Sequence, residues 1–256
     1  MAAPLIPNPI RKALSSMKQS GVRSLLMGGQ ACIFYGGAEF SRDVDLLIAT
    51  DDISLRRLKA ALDDLGAKLI AVPDFDARHL ERGHALHFRC THPDADGLRI
   101  DVMSKLRGVD AFDVLWERRT TAVLEDGLEV DLMSLPDLVK AKKTQRDKDW
   151  PMITRLVDAS YFTNKAAPSD EQLDFWLREL RTPALLCAVA VAHHGKAESL
   201  AADRHCLRAA LVNDANAVRA ALRDEEEAER AADEAYWRPL KRDLESMRRS
   251  TMRKNS

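Results

Sequence analysis

Cysteine is scarce and scattered. The four residues, Cys32, Cys90, Cys187 and Cys206, lie far apart in a chain of 256, and none belongs to a C-x-x-C pair. That spacing argues against a disulfide framework or a thiolate zinc site and suits the reduced thiols of a cytoplasmic protein. Long apolar runs are missing too. The longest, Ala184 to Ala192, covers nine residues, well short of the roughly 20 that cross a bilayer. Pro4, Pro7 and Pro9 interrupt the N-terminal stretch where a secretory signal needs an unbroken apolar segment. The expectation is a soluble, cytoplasmic protein with no membrane association. Aromatic residues make up only 5% of the chain, which argues against an extended platform for stacking single-stranded nucleic acid. Neither sign of charge dominates: 39 Lys and Arg face 40 Asp and Glu, a formal net charge of -1. A polynucleotide would therefore have to be held by a local patch.

What is present describes an ordinary globular chain, 46% hydrophobic and 31% charged, long enough for one large domain or two small ones. Residues 1–133 alternate strands with helices. A leading helix over Ile10 to Ser20 is closed by Gly21, and a strand follows at Ser24 to Met27. Gly28-Gly29, a helix over Gln30 to Tyr35, a turn at Gly36-Gly37 and a second strand carrying Asp43-Val44-Asp45 come next. Ile53, Leu55, Leu58, Leu62 and Leu65 recur at helical spacing up to Gly66. Ala67 to Val72 reads as a strand and Pro73 to Gly83 as a loop. Ala85 to Cys90 and Leu98 to Met103 read as strands joined by THPDADG. A short helix over Ala111 to Arg118 and a hairpin, Thr120 to Leu124 with Leu128 to Met133, complete this half. Ser134 then caps a helix opening LPDLVKAKKTQRDKDW, with Pro136 in its first turn. The rest reads as helix, broken at Pro168-Ser169-Asp170, Thr182-Pro183 and Gly195, and glycine nearly vanishes from the last third. The expected fold class is α/β (α+β), a mixed-sheet domain over 1–133 followed by an all-α domain over 134–256.

The chemistry concentrates in LLMGGQACIFYGGAEFSRDVDLLIA, Leu25 to Ala49. Strand side chains alternate, so Asp43 and Asp45 share one face while Val44, Leu46 and Ile48 point the other way. Two adjacent carboxylates repel unless a cation compensates them, and hard divalent ions take carboxylate oxygens together with substrate phosphates. Gly28-Gly29 lacks side chains where strand turns to helix, which lets backbone N–H groups approach a phosphate. The plainer alternative is a tight turn followed by an exposed strand edge. In LRIDVM, Asp101 takes the face opposite Ile100 and Val102. It is either a third carboxylate beside Asp43 and Asp45 or the solvent face of a half-buried strand.

A glycine pair, thirteen residues, then Asp-hydrophobic-Asp-hydrophobic resembles the signature of the DNA-polymerase-β-type nucleotidyltransferase superfamily. LPDLVKAKKTQRDKDWPMI resembles a helix of the branch that includes bacterial abortive-infection toxins and small uncharacterised nucleotidyltransferases. The resemblance implies a metal-dependent nucleotidyltransferase that moves a nucleoside monophosphate from a nucleoside triphosphate such as ATP to an acceptor, releasing pyrophosphate. It implies Asp43, Asp45 and Asp101 as catalytic residues and ligands of two Mg2+ ions, with Mn2+ as a substitute, and Asp101 as a general base. Gly28, Gly29 and Ser41 would contact the phosphates. Lys142 or Lys143, with Arg146, would neutralise triphosphate charge; Lys142 and Arg146 are four apart, on one face if the segment is helical. At Glu39 the chain carries an acid where relatives often place a base. The acceptor stays open among tRNA, a protein side chain and a small molecule such as an aminoglycoside. The alternative is a catalytically silent nucleotide- or partner-binding module, such as a toxin–antitoxin component, with its C-terminal helices as the protein interface.

His79, His84, His87, His193 and His194 read as ordinary core or surface residues, Asp224 to Glu227 as a solvated helix face, and Arg238 to Lys254 as a frayed charged tail.

Overall fold

The structure, a computed structural model, describes residues 6–38 and 40–254; Glu39 lies outside them. The chain divides into two compact units. The first comprises the described residues of Met1–Phe34, Ala38–Ala141 and Ala235–Ser256, and the second Tyr35–Gly37 and Lys142–Glu234.

In the first unit, helix α1 (Asn8–Gln19) buries Ile10, Ala13, Leu14 and Met17, one apolar stripe at helical spacing. Strand β1 (Ser24–Met27) runs into α2 (Gly28–Phe34), and β2 (Asp43–Ile48) leads to α3 (Asp52–Asp64). The Asp51 side chain starts α3 by accepting from the backbone N–H groups of Ile53 and Ser54, both at 3.0 Å. Then follow β3 (Lys68–Leu69), α4 (Ala77–Arg82), β4 (Leu86–Arg89), β5 (Arg99–Met103), α5 (Phe112–Glu117), β6 (Thr120–Val123), β7 (Glu129–Leu132) and α6 (Leu135–Ala141). The strands form one mixed seven-stranded sheet in the order β3-β4-β5-β2-β1-β7-β6. The pairs β2–β5 and β1–β7 are parallel and the others antiparallel. The core gathers where Leu46, Leu47 and Ile48 of β2 meet Val102 and Met103 of β5, all buried. Earlier in both strands one face stays half open, at Asp43, Asp45, Arg99 and Asp101.

In the second unit, α7 (Asp149–Asn164), α8 (Asp170–Glu179), α9 (Pro183–Ala192), α10 (His194–Leu200), α11 (Cys206–Leu211) and the first part of α12 (Ala215–Lys254) are all helical. Ser169 and Gln172 form a capping box at the start of α8. Arg204 is buried and donates to the carbonyls of Leu177 and Leu180, both at 2.9 Å.

Several expectations need correction. The strand at 67–72 shrinks to the two residues of β3, which lies at a sheet edge and pairs only with β4. The loop at 73–83 holds α4, capped by the Asp76 side chain and closed by Gly83 at φ 97°. Ser134 does cap α6, its hydroxyl accepting from Asp137 N, but the helix stops at Ala141 and restarts at Asp149. Thr144 Oγ1 donates to Asp149 at 2.6 Å and accepts from Arg146 N at 3.1 Å, a side-chain turn that competes with the helix. Gly195 lies within α10, and the break falls at His193. The tail is helical to Lys254, and its Asp243 lies 2.9 Å from Nε2 of the buried His84. All four cysteines are buried free thiols.

Candidate active site

The two parallel strands bring the acids together. Asp45 on β2 stands directly across from Asp101 on β5, and Asp43 across from Arg99. On the far side of β5, His87 of β4 pairs with Asp101 and Arg89 with Arg99. Directly opposed residues share a face, so two adjacent rungs present Met27, Asp45, Asp101, His87 and Asp43, Arg99, Arg89.

β1 ends at Met27, opposite Asp45, and Gly28 takes φ 66°. A Cβ at Gly28 would overlap the Asp45 carboxylate, and one at Gly29 would stand 2.5 Å from Ser41 Oγ. The glycine pair therefore lets Asp45 and Ser41 lie directly on the backbone at the strand-to-helix turn. Gln30 Nε2 donates to the Ser41 carbonyl at 2.9 Å, and Ser41 Oγ to the Asp43 carbonyl at 3.4 Å. These bonds tie the loop before β2 to the turn after β1.

The protein sets cationic and imidazole side chains against Asp101. Arg99 Nε donates to Asp101 Oδ1 at 2.7 Å, and His87 Nδ1 lies 2.8 Å from the same oxygen. Arg99 Nη2 is 3.0 Å from His87 Nδ1. Burial acts to raise the Asp101 pKa, but the hydrogen bonds from His87 and Arg99 outweigh it and hold the carboxyl below its ordinary value. The bond to Asp101 raises the Arg99 pKa; burial opposes it, and the charges of Asp101, Asp43 and Asp45 add to it.

Among the described residues, no three His, Cys, Asp or Glu side chains are gathered so as to hold a metal ion. Asp43 and Asp45 still fit a hard divalent ion in their chemistry, since two carboxylates plus substrate phosphates are a usual magnesium set. Asp101 fits less well, because Arg99 and His87 already engage its Oδ1.

Lys142, Lys143 and Arg146 belong to the second unit, and the helical spacing expected for Lys142 and Arg146 does not hold, because 142–148 are outside any helix. Instead they surround acids. Buried Asp149 receives Lys142 Nζ at 3.4 Å and Arg146 Nε at 2.7 Å, and Lys143 Nζ reaches Glu179 at 2.8 Å. Burial acts to raise the Asp149 pKa; Lys142, Thr144 and Arg146 together bring it below its ordinary value.

Two residues of this face, Arg99 and His87, are not singled out by the sequence motifs. Arg99 is within reach of sequence reasoning, because a residue two before Asp101 on one strand shares its face. His87 is not, since its place depends on the β4–β5 register.

No protein-family model matches the chain, and no curated protein matches it. Among solved structures, that of ANT(2")-Ia in complex with adenylyl-2"-tobramycin is similar over 84% of this chain and 95% of that one, with 14% identity and a TM-score of 0.33. A likeness at that level carries no argument about chemistry.

Proposed function

We propose that the chain is a nucleotidyltransferase, joining a nucleoside monophosphate from a nucleoside triphosphate to an acceptor with release of pyrophosphate. One observation carries the reading: carboxylates from two parallel strands meet on one half-open face beside a glycine turn that lies against Asp45 and Ser41. In this reading Asp43 and Asp45 would hold Mg2+ or Mn2+, and the Gly28-Gly29 backbone, with Asp45 and Ser41 lying on it, would contact the phosphates. A metal ion held there would supply Lewis-acid stabilisation of the phosphate charge in an in-line displacement. Asp43 and Asp45 fix its position on a rigid strand. Asp101, kept ionised by Arg99 and His87, is a weak base and orients the attacking hydroxyl by accepting its hydrogen bond. The acceptor is tRNA, a protein or a small molecule.

The test is label transfer from each α-labelled nucleoside triphosphate to cell RNA, protein and small-molecule fractions, with Asp45→Asn run beside the wild type. Label that moves only with the wild type supports the reading and names the acceptor class; absence of transfer to every fraction refutes it. The engagement of Asp101 by Arg99 favours a second reading, a catalytically silent nucleotide- or partner-binding module. Magnesium-dependent triphosphate binding without transfer would select it. Among the described residues no helix is long and apolar enough to cross a membrane.

A further inference from the structure

We propose that Arg99 stands in for a second divalent ion: it holds Asp101 in an ion pair, so the site binds a single metal ion, on Asp43 and Asp45. The inference rests on the nucleotidyl-transfer reading of this site. Arg99 and Asp101 are neighbours on the same face of β5, and their bond measures 2.7 Å from Nε to Oδ1. His87 closes the group from β4, its Nδ1 within 3.0 Å of both partners. Across β2 the Cα partner of Arg99 is Asp43 and that of Asp101 is Asp45. The guanidinium is therefore built into the carboxylate face by strand register.

A guanidinium cannot shed its proton to make room for a metal. A divalent ion at Asp101 would have to break the charge-assisted bond at Oδ1 or take Oδ2 alone, and in either case lie beside the positive charge of Arg99. The Asp101 side chain is only 16% exposed and that of Arg99 38%, so solvent screens the repulsion only in part. Asp43 and Asp45 stand on the neighbouring strand, and magnesium needs only one or two carboxylates when phosphates complete its shell. The substrate form that fits is a nucleoside triphosphate carrying one metal ion, with Arg99 supplying the remaining positive charge through Asp101.

The experiment is equilibrium dialysis of the full chain against Mn2+, alone and with each of the four α,β-methylene nucleoside triphosphates, with the retained manganese counted. The wild type is expected to retain one ion per chain. Asp45→Asn should weaken Mn2+ binding by about tenfold or more, and Asp101→Asn by less than about threefold, since only the former removes a ligand. Arg99→Gln, which removes the guanidinium charge from Asp101, should raise the count to two, while Arg99→Lys, which keeps the charge, should leave it at one. Two ions on the wild type, or equal losses in Asp45→Asn and Asp101→Asn, would overturn the inference and leave nucleotidyl transfer standing. No manganese on the wild type under any condition would overturn both. The wild-type count and the Asp101→Asn comparison decide the matter even if Arg99→Gln does not fold.

Discussion

Gly28→Ala should be the most damaging single-methyl change in the first unit. Gly28 sits at φ 66°, where an alanine side chain costs about 1–2 kcal/mol against the backbone. The new Cβ would also overlap the Asp45 carboxylate. Driving Asp45 off its rotamer costs a further 0.5–1.5 kcal/mol or so. The expected total is roughly 2–3 kcal/mol, read as a shift in urea midpoint of the full chain. Gly97→Ala supplies the control: φ is 73° there and a Cβ would meet nothing within 4 Å. It should lose only the backbone part, about 1 kcal/mol. The excess at Gly28 should largely disappear when Asp45→Ala is combined with it, a coupling that a double-mutant cycle measures. If Gly28→Ala and Gly97→Ala cost the same, or if the cycle shows no coupling, the close approach of Asp45 to the turn is refuted.

Asp149→Asn should destabilise the second unit by about 3 kcal/mol at neutral pH, because it leaves Lys142 without its buried partner. The folded-state pKa of Asp149 is depressed, so its stabilisation is complete above the ordinary value of 3.8 and is lost as pH falls through the folded value. The gap between wild type and variant in urea midpoint should therefore narrow below pH 3.8. Asp158 behaves oppositely. Burial raises its pKa, with the Thr182 hydroxyl opposing, so its ionised form weakens the fold as pH rises above 3.8. Asp158→Asn should accordingly be neutral or stabilising by up to about 1 kcal/mol in a pH 7 thermal melt. Asp243→Ala should strip the buried His84 of its partner, costing about 1–3 kcal/mol. Faster amide exchange over residues 235–254 would report it, and unchanged exchange would count against the contact.

Elements with strong periodicity or clear punctuation are legible in the sequence. The stripe of α1, the alternation of β2 and β5 and the hairpin of β6 and β7 all follow from local spacing. α4 is hidden there because ARHLER is short and polar, although Asp76 and Gly83 mark both its ends. The break between α6 and α7 is hidden because charged residues at helical spacing do not reveal that Thr144 will bond Asp149 and Arg146 instead. The convergence of Asp43, Asp45 and Asp101 is suggested by residue type and order, and strand register supplies it. The identity of the counter-ion escapes the sequence for a physical reason. Repulsion between carboxylates calls for positive charge, and it does not say whether a metal or an arginine provides it.

The first unit is also discontinuous along the chain, since residues 142–234 come between its strands and its last segment. All seven strands have been synthesised by Leu132, while Asp243, the partner of His84, comes 111 positions later. At about 5–20 residues per second the ribosome takes roughly 5–20 s to bridge that gap. A nascent first unit thus waits, with His84 uncovered, until residue 243 has emerged. Completion of that unit waits on synthesis of the segment between its parts, and a chain stopped before residue 243 carries every strand of the sheet yet lacks the helix segment that seals His84.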